Sequence, residues 1–267
     1  MNNIYIKSFF LLIVIYVGIT VVVYFYQRKL LYHPFGAEIT GEGLIHNFET
    51  INFKTSDNFV LKGWFHLKNF NKKTILFLHG NAGNLDNRID KLNSLGSMDI
   101  NFLIISWRGY SGNSGNPSEA GLYKDVLGGI KWLNEKGISN DQIILYGESL
   151  GTAIATEVGQ NKNFAGIILE APFTSMVDMG QKIYPIFPVK FLLKDKYESE
   201  NKIKNLKSPL LVLHGRKDKI VPFYMGEKIF EMANNPKFKY FTDLDDHMMD
   251  FDDKLINEID SFIRNLN

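Results

Sequence analysis

The residues Gly147-Glu148-Ser149-Leu150-Gly151 set a serine between two glycines. They follow the apolar run Gln142-Ile143-Ile144-Leu145-Tyr146 and precede the small-residue stretch Thr152-Ala153-Ile154-Ala155. A serine hydroxyl is a poor nucleophile unless it is exposed, close to a base and next to amide donors. A sharp turn from strand to helix supplies the exposure, lifting Ser149 above the edge of a sheet. Gly147 and Gly151 leave room where a Cβ would meet neighbouring backbone. The helix that follows aims free N–H groups at any anion forming beside the serine. G-x-S-x-G alone also arises by chance in loops; the strand before it and the helix after it assign this one to a nucleophile.

Such a serine needs a base. The chain has six histidines. His33, His46 and His66 precede the region of parallel strands, and His79 and His214 each sit in Leu-His-Gly at a strand end, as residues that pack or hydrogen-bond a loop. His247 follows the last strand, in Leu244-Asp245-Asp246-His247-Met248-Met249-Asp250, where a loop can hang over the serine. The base in turn needs an acid to fix its tautomer and stabilise the imidazolium. Asp218, directly after a strand, is that acid; Glu170, at another strand end, is the alternative. Asp245, Asp246 and Asp250 stand too close to His247 in sequence to be favoured.

An oxyanion also needs donors. One is the backbone N–H of Leu150; the other comes from the loop Gly80-Asn81-Ala82-Gly83, at Asn81. Donors of this kind are worth roughly 3 kcal/mol each in a transition state. That loop carries neither G-x-x-x-x-G-K-[ST] nor G-x-G-x-x-G, so it does not read as a phosphate cradle. No H-E-x-x-H or other metal spacing occurs, and the sequence implies no cofactor and no metal.

These groups must be carried to one place. Short apolar runs at 74–78, 102–105, 142–146, 166–169, 209–213 and 239–242 read as strands. Amphipathic stretches at 85–95, 118–135, 152–160, 225–234 and 250–266 read as the helices between them. Two alternating segments, 48–53 and 59–67, add an antiparallel pair. The result is an α/β fold: a mostly parallel eight-stranded sheet with helices on both faces. Every residue singled out follows a strand, and sites in such sheets lie at the carboxyl ends of the strands. Residues 175–207 insert more chain than a crossover requires. With Pro185, Pro188 and many bulky apolar groups, they read as a small helical cap.

With 267 residues, the chain suits one large domain, and its net charge of +1 excludes broad attraction to nucleic acid. The absence of cysteine excludes disulfides, thiolate metal sites and cysteine nucleophiles. The N-terminus is the exception to an ordinary soluble chain. Residues 8–26 carry no charge and, as a helix, span about 28 Å, close to a bilayer core. Aromatic residues and Lys7, Arg28 and Lys29 flank the run. A cleaved signal peptide is the competing reading, but Tyr24-Phe25-Tyr26-Gln27-Arg28-Lys29 offers no small-residue cleavage site. The reading is an uncleaved single-span membrane anchor at 1–28, a connector over 30–43 and a catalytic domain over 29–267. All candidate groups lie beyond the span, so its removal is expected to spare the chemistry.

The motifs together closely resemble the α/β-hydrolase superfamily, and within it the membrane-anchored Bem46-like and ABHD13-like group. The resemblance rests on Leu78-His79-Gly80-Asn81-Ala82-Gly83-Asn84, Arg108-Gly109-Tyr110, the Ser149 pentapeptide, Pro172-Phe173-Thr174-Ser175, and Leu213-His214-Gly215 through Asp218 to Val221-Pro222. It implies Ser149, Asp218 and His247 as a triad in the chain order of that superfamily, with Asn81 and Leu150 as oxyanion donors. Two departures occur. Ser106 stands where an Asp is common, and Asp245-Asp246 precede the histidine where small residues are common. The resemblance implies a membrane-anchored serine hydrolase acting on small-molecule or lipid-like carboxylic esters or thioesters. A serine peptidase or amidase on the same fold is the alternative, with a non-catalytic membrane-tethered interaction protein behind it.

Overall fold

The computed structural model describes residues 2–266. Eight strands form its central sheet: β1 Glu49–Lys54, β2 Val60–His66, β3 Thr74–Leu78, β4 Asn101–Ile105, β5 Ile143–Glu148, β6 Gly166–Glu170, β7 Leu210–Gly215 and β8 Lys237–Thr242. Their order across the sheet is β8-β7-β6-β5-β3-β4-β2-β1. β1 pairs antiparallel with β2, and β2 with β4; every other pairing is parallel.

The unbroken apolar runs are explained by the period of two along a strand. Leu76, Leu78, Leu103, Ile105, Leu145, Ile167 and Val212 enter one core, while Ile75, Phe77, Phe102, Ile104, Ile144, Ile168 and Leu211 enter the other. Helices α3 (Glu119–Glu135), α4 (Leu150–Gly159) and α8 (Phe223–Met232) cover the first face. Helices α2 (Ile89–Ser97) and α9 (Asp253–Arg264) cover the second. Asp252 caps α9, accepting the Leu255 N–H at 2.9 Å.

Between β6 and β7 the chain forms three short helices, α5 (Met176–Ile183), α6 (Val189–Leu192) and α7 (Ser199–Lys202). Pro188 stands at the N-terminus of α6, where its missing N–H costs nothing.

The N-terminal helix, α1 (Asn2–Leu31), is about 45 Å long. Residues Asn3–Leu31 include an 18-residue window of mean hydropathy 2.6, and the helix is long and apolar enough to cross a membrane. The sequence ended this helix near residue 28 and expected a connector after residue 29. Instead the helix runs to Leu31, and His33–Pro34 then pairs in parallel with Ala82–Gly83. The extension has a physical cause: Gln27, Arg28 and Tyr32 each find a partner in residues 192–197.

Candidate active site

The turn at Ser149 is built by close packing. Ser149 has φ +51° and ψ −111°, a backbone region that costs a non-glycine residue about 1–3 kcal/mol. The surroundings hold it there. The Ser149 N–H donates to the Glu170 carbonyl at 2.9 Å, and its own carbonyl accepts from the Thr152 N–H and hydroxyl at 2.9 and 2.6 Å. A Cβ on Gly147 would lie 2.5 Å from the Gly151 carbonyl oxygen, and one on Gly151 would overlap the Leu78 carbonyl oxygen. The two glycines thus let the turn fold on itself and let α4 press against β3.

The expected partners meet this serine. His247 Nε2 is 3.1 Å from Ser149 Oγ, and His247 Nδ1 is 2.7 Å from Asp218 Oδ2. Asp218 is fixed on both oxygens. Its Oδ1 accepts the Ile220 and Val221 N–H groups, each at 2.8 Å, and its Oδ2 also meets His214 Nε2 at 3.2 Å. Burial opposes ionisation of Asp218, but the bonds from His214 and His247 outweigh it and hold the carboxyl below the ordinary carboxylate range. His214 has more to do than loop packing. Its Nε2 faces two acceptors, Asp218 Oδ2 and the Val221 carbonyl at 3.2 Å, which assigns the proton to Nε2. The carboxylate therefore has two histidine donors, of which only His247 reaches the serine.

Asn81 and Leu150 both border the same cavity as Ser149 and His247. Leu150 opens α4, and among the described residues neither its N–H nor that of Asn81 has a protein acceptor. The loop is steadied from several sides. Tyr110 Oη donates to the Asn81 carbonyl at 2.7 Å, and the Asn81 side-chain amide donates to the Leu31 carbonyl at the end of α1.

Glu170, the alternative acid, is not at the histidine. It accepts Lys91 Nζ at 2.6 Å and Tyr146 Oη at 2.8 Å. Glu148, its register partner on β5, accepts Lys91 Nζ at 2.6 Å, Arg88 at 2.8 Å and the Gly80 N–H at 3.2 Å. Burial would raise Glu148, but Lys91 and Arg88 overcome it and hold it low; at Glu170 burial prevails and lifts the carboxyl above its ordinary value. Through Glu148, the residue before the serine grips the loop that carries Asn81. The sequence reading missed this network, although two acids ending neighbouring parallel strands and two cations three apart on one helix were visible signals. His79 lies buried against Trp107 and Tyr110, and burial first, then Arg88, push it down to about 3, so it is neutral.

Ser106, where an acid is common, bonds Ser111 Oγ at 2.7 Å, and Ser111 Oγ also accepts the Leu85 N–H at 3.4 Å. Among the described residues there is no cluster of three or more His, Cys, Asp or Glu able to hold a metal ion. Above the serine opens a cavity of about 560 Å³, walled by Phe173, Met176, Ile183 and Phe187 on one side and by Val23 and Leu30 of α1 on another.

Comparison with known proteins agrees with this architecture. The family described as alpha/beta hydrolase fold matches residues 73–198. Protein bem46 of Schizosaccharomyces pombe is 32% identical over 235 residues, 82% of this chain and 79% of its own length. The lysophosphatidylserine lipase ABHD12 of Xenopus tropicalis is 28% identical over 211 residues, 72% of this chain and 54% of its own. In structure, the Pyrococcus furiosus esterase Pf2001 superposes with a TM-score of 0.71 at 19% identity, covering 88% of this chain and 98% of the esterase. The chain belongs to the α/β-hydrolase family, and its relatives include bem46. Fold and relatives together support a hydrolase.

Proposed function

We propose that this protein is a serine hydrolase that cleaves carboxylic ester or thioester bonds of apolar acyl substrates, held at a membrane by α1. The observation that carries the reading is His247, bonded at one nitrogen to Asp218 and at the other to Ser149. Asp218 accepts from Nδ1, so Nε2 is free to take the Ser149 proton as Oγ attacks the acyl carbon. The carbonyl oxygen gains the negative charge and meets the Leu150 and Asn81 N–H groups. Collapse expels the alcohol or thiol, which takes the proton from His247 and leaves an acyl-serine. Water then repeats the sequence with His247 as base and releases the acid.

The apolar cavity favours acyl groups over peptides, whose backbone would need polar partners along the walls. A lipase and an esterase among the similar proteins point the same way. The uncleaved anchor is supported by the bonds of α1 to residues 186–197, which cleavage would discard. The test is fluorophosphonate labelling and hydrolysis of p-nitrophenyl acyl esters by the full-length protein and Ser149→Ala. Labelling and turnover are expected in the first and absent in the second. Turnover by Ser149→Ala within a few-fold of the parent, or faster cleavage of aminoacyl anilides than of esters, would reject the reading.

A further inference from the structure

A helix that only tethers a domain needs no specific bonds to it, yet α1 has many. Along its second half, Thr20, Val23, Gln27 and Leu31 are less exposed than the other residues of the helix around them. Their spacing of three and four marks one face. Tyr16 Oη donates to the Ile186 carbonyl at 2.8 Å, and its ring stacks on Phe187 at 5.8 Å. Gln27, only 8% exposed, donates to the Leu192 carbonyl at 3.1 Å and accepts the Lys194 N–H at 2.7 Å. Arg28 forms a two-pronged pair with buried Asp195 at 2.8 and 3.0 Å. A carboxamide in an apolar helix costs free energy unless both its ends are bonded, and here both are. The helix also brings Val23 and Leu30 to the cavity that Ser149 and His247 line.

The depth of this seam follows from length. A bilayer core takes about 20 helical residues. Any such window within Asn3–Leu31 contains residues 12–22, and therefore Tyr16. The segment bonded there, around Ile186 and Phe187, then lies at the level of acyl chains. Its composition fits: Ile186 is 72% exposed and Phe191 84%, side chains suited to lipid and not to water.

We propose that α1 is a wall of the substrate site, and that the substrate is a bilayer-resident acyl ester whose chain enters along the seam between α1 and residues 183–189. This rests on the acyl-hydrolase reading above. Because Val23 and Leu30 border the cavity that holds Ser149, they set how long an acyl chain it accepts.

The test uses full-length protein in detergent and a series from acetyl to lauroyl p-nitrophenyl esters. Val23→Trp and Leu30→Trp should each lower the lauroyl-to-acetyl ratio of kcat/KM by about fifteenfold, the effect of excluding two methylenes at roughly fourfold each. Val22→Trp, on an exposed face, should leave the ratio at its parent value. In vesicles containing a long-chain monoacyl ester, Phe191→Asp should slow turnover about tenfold while leaving hydrolysis of the soluble acetyl ester in detergent unchanged. An unchanged ratio in both channel variants, an equal fall in Val22→Trp, or a Phe191→Asp enzyme unimpaired on vesicles would overturn the proposal while acetyl hydrolysis persists. A parent enzyme inactive on every ester would instead overturn the hydrolase reading, and this proposal with it.

Discussion

Replacing Asp218 by asparagine removes one charge and almost no volume, and the structure dictates which way the new amide must face. Asp218 Oδ1 takes two backbone N–H groups at 2.8 Å, and Oδ2 takes His247 at 2.7 Å and His214 at 3.2 Å. If the NH2 of the new amide faced the backbone, donors would meet donors and two bonds would be lost, at about 1–3 kcal/mol each. The amide oxygen therefore keeps the backbone pair and the NH2 faces the histidines. His247 can meet a donor only by giving up its Nδ1 proton, which moves the proton to Nε2 and blocks acceptance from Ser149. A triad histidine in the wrong tautomer loses roughly 10⁴-fold in kcat, about 5.5 kcal/mol of barrier. Both backbone bonds survive, so the melting temperature should stay within a few degrees of the parent. The assay is steady-state hydrolysis of p-nitrophenyl butyrate beside a melting curve for Asp218→Asn, Glu170→Gln and the parent. An Asp218→Asn enzyme retaining more than about a tenth of parental kcat, or one less impaired than Glu170→Gln, would refute the tautomer argument.

Two further outcomes follow from the packing. Gly151→Ala should destabilise the protein by about 3 kcal/mol or more, read as a lowered melting temperature or loss of folded protein, because the added methyl overlaps the Leu78 carbonyl and neither backbone can yield alone. His79 is held at about 3 in the fold against about 6.5 in an unfolded chain, so the unfolded state binds its proton first. Its contribution is complete above pH about 6.5 and is lost as pH falls toward about 3, at up to about 1.4 kcal/mol per pH unit. Denaturant midpoints between those values should fall more steeply for the parent than for His79→Gln; parallel slopes would contradict the buried neutral histidine.

The parts of the site legible in the sequence are those fixed by local chemistry. The turn at Ser149 was readable because two glycines, a strand and a helix start all sit within a few residues of it. The strands were readable because each is short, apolar and bounded, and their helices because the apolar spacing changes between them. Residues brought together by register and docking were less accessible. Glu148 and Glu170 lie beside each other only because β5 and β6 pair in one register, and His214 reaches Asp218 only through the bend of the loop between them. The docking of α1 left a trace in the sequence, since Tyr16, Thr20 and Gln27 place polar atoms along one face of an apolar helix. Averaged hydropathy conceals such a face, because it sums around the helix and loses direction.

The bonds of Tyr16 and Gln27 to partners 165 to 170 residues later also set an order of events during synthesis. The first helix leaves the ribosome long before residues 186–197 exist. None of the eight strands pairs with it, so the sheet and its elbow can assemble while this helix is occupied elsewhere. The chamber above the serine closes only when the oldest part of the chain meets one of the younger ones. Closure of that chamber is thus a joining of distant segments instead of a local folding step.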